Sequence, residues 1–289
     1  MKPTLRYTVL CVLILLTASC GVKQASINVV SFNIRYNNPK DGPDAWPNRK
    51  EIVANMIQFY QADIVGTQEV LPDQLQDLQT LLPEYGWYGI GRDDGASAGE
   101  HMVIFYKKDR FEPFDKGTFW LAATPDTPTQ GWDGACFRTV TWMQFKDKVT
   151  GKVFYHFNTH FDHRGVEARR ESSKLLPAKI TALAGNVPVV VTGDFNARTD
   201  SDVYAGLVGK LGGTPGDALT DARLATRVPH HGGTGTSNGG FKAIRPGSQI
   251  DYIFVKNGVT VERHGFLTDI IDGRFPSDHL PVLAEVVIP

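Results

Sequence analysis

A few short stretches of this chain carry side chains able to do chemistry. In Val153-Phe154-Tyr155-His156-Phe157-Asn158-Thr159-His160, strand alternation puts His156, Asn158 and His160 on one face and Tyr155 and Phe157 on the other. Such a polar face is either a solvated edge or the wall of a site. Val189-Val190-Val191 runs into Thr192-Gly193-Asp194-Phe195-Asn196. A strand apolar on both faces belongs in the middle of a sheet, and the ends of such strands are where open α/β sheets bind ligands. A turn capped by Asp194 and Asn196 is the plainer alternative. In Gln249-Ile250-Asp251-Tyr252-Ile253-Phe254-Val255, Asp251 shares a face with Ile253 and Val255, so burial is expected and a partner is needed. Ser277-Asp278-His279-Leu280-Pro281 offers one: an Asp251–His279 pair fixes the tautomer and orientation that acid or base work requires. Glu69, closing an apolar run, is an oxygen ligand suited to Mg2+, Mn2+ or Ca2+. No Cys/His spacing reads as a zinc site, and adjacent His230 and His231 read as loop residues.

Alternating strands and amphipathic helices must position these groups. Residues 27–34 read as a strand, and 48–60 as a helix with Ile52, Val53, Met56 and Ile57 at helical spacing. Residues 63–67 form a short buried strand, followed by a helix over 72–82 that opens on Pro72. Strands are expected over 101–107, 139–145 and 153–160, a helix over 165–183 and a buried strand over 187–191. Further strands close the chain at 250–255, 259–267 and 282–288. The loops 121–135 and 229–240 exceed the usual connection length and are expected to shape the site, with Trp132 and His230 suited to enclosing a chain end or a small ester. The pattern indicates one α/β domain with two sheets.

Taken in order, Asn33, Gln68-Glu69, Asn158-Thr159-His160, Gly193-Asp194-Phe195-Asn196, Ile250-Asp251-Tyr252 and Ser277-Asp278-His279 resemble the endonuclease/exonuclease/phosphatase superfamily over residues 27–288. The resemblance implies a four-layer α/β (α+β) sandwich of two central, mostly antiparallel sheets flanked by helices, of the deoxyribonuclease I-like kind. It implies metal binding by Glu69 with Asn33, and with Asp278 near the metal. Asp194 and Asn196 match residues that orient the attacking water and hold the phosphate. His279 with Asp251, and His160 with Glu100, match the two His–carboxylate pairs of the deoxyribonuclease I type, Glu100 standing in Gly99-Glu100-His101-Met102-Val103-Ile104-Phe105-Tyr106. Arg138 in Phe137-Arg138-Thr139 resembles a phosphate-contacting arginine, and Arg164, just past His160, extends that basic patch. Arg35 stands where the exonuclease III branch has a metal-binding aspartate, and Asp41-Gly42, Trp46 and Arg49 are closer to the nocturnin and deadenylase branch.

At the N-terminus, Lys2 and Arg6 precede an apolar run over 9–16 that is too short to span a bilayer. Thr17-Ala18-Ser19-Cys20 resembles a bacterial lipobox, although Thr17 stands where leucine is usual. Residues 1–19 are thus expected to be a lipoprotein signal peptide, 20–26 a tether from lipidated Cys20, and 27–289 a single domain exported to the bacterial cell envelope. Cys136 is then the sole cysteine of that domain, so it has no internal disulfide partner. Removing Lys2 and Arg6 leaves 28 basic against 31 acidic residues, so no global basic field holds long nucleic acid. The expected activity is metal-dependent phosphodiester hydrolysis by a monomer, first a nuclease on short or single-stranded substrate. The alternatives are a phosphatase or lipid or inositol phosphodiesterase acting on small headgroups, and a non-catalytic binding lipoprotein.

Overall fold

The computed structural model describes Met1 and residues 25–289 except 213 and 215. The leader and Cys20 lie outside the described residues. Among the described residues, twelve strands follow in chain order: β1 (Ile27–Asn33), β2 (Ile64–Val70), β3 (Tyr85–Tyr88), β4 (His101–Lys107), β5 (Phe111–Trp120), β6 (Thr139–Asp147), β7 (Val153–His160), β8 (Val189–Asp194), β9 (Thr220–Asp221), β10 (Asp251–Lys256), β11 (Thr260–Phe266) and β12 (Val282–Val287). They form two sheets of six, ordered β11-β12-β1-β2-β4-β3 and β5-β6-β7-β8-β10-β9. Each sheet has one parallel pair at its centre, β1–β2 or β7–β8, and is otherwise antiparallel. A helix makes each parallel crossover: α1 (Lys50–Phe59) between β1 and β2, and α3 (Val166–Ala184) between β7 and β8.

Four layers result. Val29, Ile64 and Ile104 of the first sheet meet Phe145, Phe154, Val190 and Ile253 of the second in the central layer. On the first sheet's outer face, Val30, Phe32 and Val65 pack against α1 and against α2 (Pro72–Leu81) through Val53, Ile57, Leu75 and Leu78. On the second, Phe157, Val191 and Phe254 pack against Leu176 and Ile180 of α3.

Towards the C-terminal ends of the parallel pairs the central layer turns polar. Asn158 accepts from Gln68 Nε2 at 2.7 Å and from Thr192 Oγ1 at 3.1 Å, and donates to the Thr67 carbonyl at 2.8 Å. His156 Nε2 lies 3.0 Å from Thr192 Oγ1, and burial pushes its pKa down to about 3. The polar face of β7 is therefore no solvated edge: Asn158 staples the two sheets together, His156 bonds the neighbouring strand β8, and His160 alone of the three lines the cleft beyond. Gly66 permits this contact, because a Cβ there would lie 1.9 Å from Thr192 Oγ1.

The helices match the sequence periodicity with shifted ends, and Trp46–Asn48 is a separate 3-10 turn rather than the start of α1. Unexpected from the sequence is β5, Phe-Glu-Pro-Phe-Asp-Lys-Gly-Thr-Phe-Trp. It is an edge strand, exposed over 112–116, with Pro113 at a break in register. Lysine and proline belong on such edges, where they discourage further pairing.

Candidate active site

The two parallel pairs bring their C-terminal ends to one place. Asn33 is in register with Gln68, His160 with Asp194, and Asp194 with Asp251 across the antiparallel pair. Two backbone distortions complete the set. Glu69 has φ 64°, inside a bulge that breaks the β2–β4 register between Thr67 and Val70. Asn196 has φ 46° just past β8, where its N–H bonds Asp194 Oδ1 at 2.9 Å. Left-handed backbone at non-glycine residues costs free energy and persists where the surroundings enforce it. Asp194 and Asn196 thus do make the capped turn of the plainer alternative, yet that turn faces a cleft of about 590 Å³.

Asp194 is the hub. Its Oδ2 accepts from Asn33 Nδ2 at 3.0 Å and lies 3.4 Å from His160 Nε2 and 3.8 Å from His279 Nδ1. Burial and the neighbouring Asp251 charge push its pKa up to about 7. His279 Nδ1 lies 2.9 Å from Asp251 Oδ2, and Thr236 Oγ1 donates to the same oxygen at 2.5 Å. With Nδ1 so occupied, His279 is left with Nε2 for the cleft that it lines. Burial opposes its charge, but Asp251 and Asp194 outweigh burial and hold its pKa well above the usual value. His160 is the reverse: burial, reinforced by Arg138 and Arg92, keeps it neutral.

The cleft also receives Glu69, Asp278, Glu100, Arg138 and Arg164, so the expected site residues converge with two corrections. Glu100 is not paired with His160. Arg92 Nη1 donates to Glu100 Oε2 at 2.6 Å, while among the described residues His160 Nδ1 has no hydrogen-bond partner and its Nε2 faces Asn196 Nδ2 at 3.1 Å. Asn33 turns its amide nitrogen, not its oxygen, to Glu69 and Asp194, both at 3.0 Å, and its oxygen accepts from the Arg35 N–H. It bridges the carboxylates of the two sheets instead of offering an oxygen ligand. Arg138 is 5% exposed, with Nη2 3.0 Å from His163 Nδ1, Nε 3.6 Å from Asp162 Oδ2 and Nη1 without a hydrogen-bond partner among the described residues. Arg164 lies exposed at the rim.

The sequence reading missed Arg92, Tyr36 and His163, which line the same cleft. Nothing in their local pattern marks them, because each arrives on an irregular loop. The long loops act differently than expected. Ala135 and Cys136 line the cleft, whereas Trp132 and His230 do not. His230 packs tilted against His264 and edge-on to Phe266 instead. In 229–240 it is Thr236 and Asn238 that matter, bonding Asp251 and the Ser277 carbonyl.

The donor chemistry suits a hard cation. Burial and the charge of Glu69 raise the Asp278 pKa, so two mutually repelling carboxylates face one cleft. Asp194, Asp251 and His279 also bring ligand-type atoms within 4.8 Å of one another. Glu69 and Asp278 could hold such a cation, since His279 already holds Asp251.

The model of the endonuclease/exonuclease/phosphatase family matches residues 30–279. The chain belongs to this family. Endonuclease/exonuclease/phosphatase proteins are hydrolases of phosphoester bonds. The chain is 40% identical to a family member from Bacteroides vulgatus, with a TM-score of 0.84 over 92% of this chain and 100% of that one. It is 39% identical to a mannosyl-6-phosphatase from Bacteroides thetaiotaomicron, with a TM-score of 0.83 over 91% of this chain and 100% of that one. It is 33% identical over 199 residues to the carbon catabolite repressor protein 4 homolog 5 of Arabidopsis thaliana, covering 64% of this chain and 41% of that protein. The matches span between 28% and 59% of the length of the curated relatives.

Proposed function

We propose that the protein is a divalent-cation-dependent phosphomonoesterase acting on a small phosphorylated sugar, the second of the two catalytic readings of its sequence. One observation carries this: the cleft of about 590 Å³ is lined by Arg92 and buried Arg138, and among the described residues Arg138 Nη1 has no hydrogen-bond partner while the two Nε atoms meet only carboxylates beyond hydrogen-bond range, Asp162 at 3.6 Å and Asp93 at 3.8 Å. Unsatisfied guanidinium donors inside a small concavity call for a compact, highly charged anion. A terminal phosphate dianion fits that better than one link of a long chain. The likeness to a mannosyl-6-phosphatase over 100% of that chain supports the same choice.

In this reading Arg138 holds the phosphoryl oxygens, and Asn196, whose Nδ2 is committed to His160 Nε2 and the Phe161 carbonyl, positions His160 beside them. Asp194, with a pKa near 7, accepts the proton of the attacking water. His279, held protonated by Asp251, donates from Nε2 toward the charge developing on the ester. A cation at Glu69 and Asp278 would supply Lewis-acid stabilisation of that charge. The test is a panel of hexose 6-phosphate, p-nitrophenyl phosphate, bis(p-nitrophenyl) phosphate and a short single-stranded oligonucleotide, with Mg2+ or Mn2+ and with EDTA. Metal-dependent turnover with monoesters preferred supports the proposal. Preference for the diester or oligonucleotide restores the nuclease reading, and no turnover leaves a binding protein.

We also propose export with anchoring through lipidated Cys20. Cys20→Ser should then move the protein from the membrane fraction to the soluble one; a variant that stays bound overturns the anchor.

A further inference from the structure

Glu100 is out of place in a cleft built for phosphate. A carboxylate repels the substrate's charge, and its other expected tasks are taken. His160 is turned to Asn196 and Asp194, so Glu100 orients no imidazole. Its Oε2 is held by Arg92 at 2.6 Å, which disfavours cation binding there. Among the described residues Oε1 has no hydrogen-bond partner, and the residue faces the cleft.

The pair is also rigidly mounted. The Arg92 N–H bonds the Glu100 carbonyl at 3.1 Å, and Trp120 Nε1 bonds the Arg92 carbonyl at 2.7 Å. Gly91 bridges His101 at the start of β4, closing the loop that carries both residues. A fixed carboxylate beside a fixed guanidinium offers an acceptor next to donors, the complement of a hydroxyl group, which both donates and accepts. Tyr36 lines the same cleft, with the Arg35 guanidinium 4.4 Å from its ring centre.

We propose that Glu100, braced by Arg92, is a specificity residue that accepts hydrogen bonds from the hydroxyls of a polyol leaving group. The inference rests on the phosphomonoesterase reading above and adds what the enzyme selects on the far side of the ester. A site built to bond a hydroxyl discriminates strongly against analogues lacking it, because its own polar group is then left unpaired.

The experiment measures kcat/KM for hexose 6-phosphate and for p-nitrophenyl phosphate, which has no hydroxyls, in the metal-supplemented wild type and in Glu100→Gln. A series of monodeoxy hexose 6-phosphates is run beside them. The wild type should favour the hexose ester, and Glu100→Gln should lower the hexose-to-nitrophenyl ratio by about tenfold or more. At least one deoxy analogue should be penalised in the wild type and much less so in the variant. A ratio unchanged by the substitution, with both substrates losing equally, overturns the specificity role while leaving the monoesterase reading standing. So does a wild type active on monoesters but indifferent to hydroxyls. A wild type that turns over no monoester overturns both.

Discussion

Two buried histidines share one cleft and carry opposite charge states for identifiable reasons. Asp251 and Asp194 keep His279 protonated, whereas burial, Arg138 and Arg92 keep His160 neutral. Environments that push like groups apart assign acid and acceptor roles, and in the proposed reaction they make His279 the donor. His279→Ala should therefore lower kcat by about 10²–10⁴, and Asp251→Asn should cost nearly as much by freeing the ring. Because the two act as one unit, the double variant should be no slower than the slower single one. A double variant far below both would show independent roles. Glu69 differs in kind: its Oε1 accepts from Asn33 and its Oε2 from the Tyr36 N–H at 3.1 Å, so its carboxylate is already aimed by neighbours. Glu69→Gln should abolish turnover that depends on Mg2+ or Mn2+ while circular dichroism and Tm stay near wild type. Undiminished metal-dependent kcat at ordinary metal concentration would remove Glu69 from the cation site.

The strands fix where these groups stand, and an irregular segment braces them. Thr236 Oγ1 donates to Asp251 and accepts the Ile250 N–H at 3.1 Å, while the Thr236 carbonyl accepts the Leu280 N–H at 2.6 Å. The loop thus ties β10 to the turn carrying Asp278 and His279. Thr236→Val keeps the shape but removes the hydroxyl, leaving a buried carboxylate short of one donor, a loss of about 1–3 kcal/mol. The expected result is a lower Tm with kcat reduced and KM little changed. An unaltered kcat would mean that Asp251 needs no such brace. This division explains what the sequence disclosed. Asp251 and its partner were legible because alternation with Ile253 and Val255 implied burial, and a buried carboxylate demands a counterpart. The central strand ending at Asp194 was legible from its unbroken apolar run. Strand β5 was not, since an edge strand with one exposed stretch has no period-two signature. Arg92 was not either, because its partner Glu100 lies across a loop whose closure no periodicity encodes. The Asn33 amide looked like a ligand from sequence, and only the approach of β8 showed what it bonds.

Across the whole molecule, stacking two sheets buries histidines as well as apolar side chains, and this sets how stability responds to pH. Burial lowers the pKa of both His156 and His264 to about 3. His156 bonds Thr192 with one nitrogen, and His264 Nδ1 lies 2.8 Å from His230 Nδ1. In the unfolded chain each titrates near the ordinary value of about 6.5. Between those limits the unfolded state binds protons that the folded state refuses, so the neutral histidines stabilise the fold fully above about pH 6.5 and progressively less as pH falls towards 3. Each contributes a slope of about 1.4 kcal/mol per pH unit inside that window. His279 works the other way: its raised pKa favours the fold below about 6.5, and that contribution is lost as pH rises through its folded value. Asp194, pushed up to about 7, and the raised Asp278, Glu100 and Asp221 bind protons in the folded state and oppose the acid-side loss. His160, His101, His163 and His230 are also lowered and add to it. The balance predicts a Tm that is highest near neutrality and falls from pH 6.5 to 4.5. Deep carboxylates do not produce the early part of that fall, since Asp162, despite its burial, is held at about 2 by N–H groups of Gly165 and Arg164 and by the Arg138 charge. His264→Phe removes one of the buried titrating rings and keeps an aromatic ring beside Phe266, so its acid limb should be shallower by about one proton while its neutral-pH Tm changes less. Thermal unfolding from pH 7.5 to 4.5 checks this. A wild-type Tm flat across that range, or a His264→Phe limb as steep as the parent's, would show that the buried imidazoles do not govern acid sensitivity.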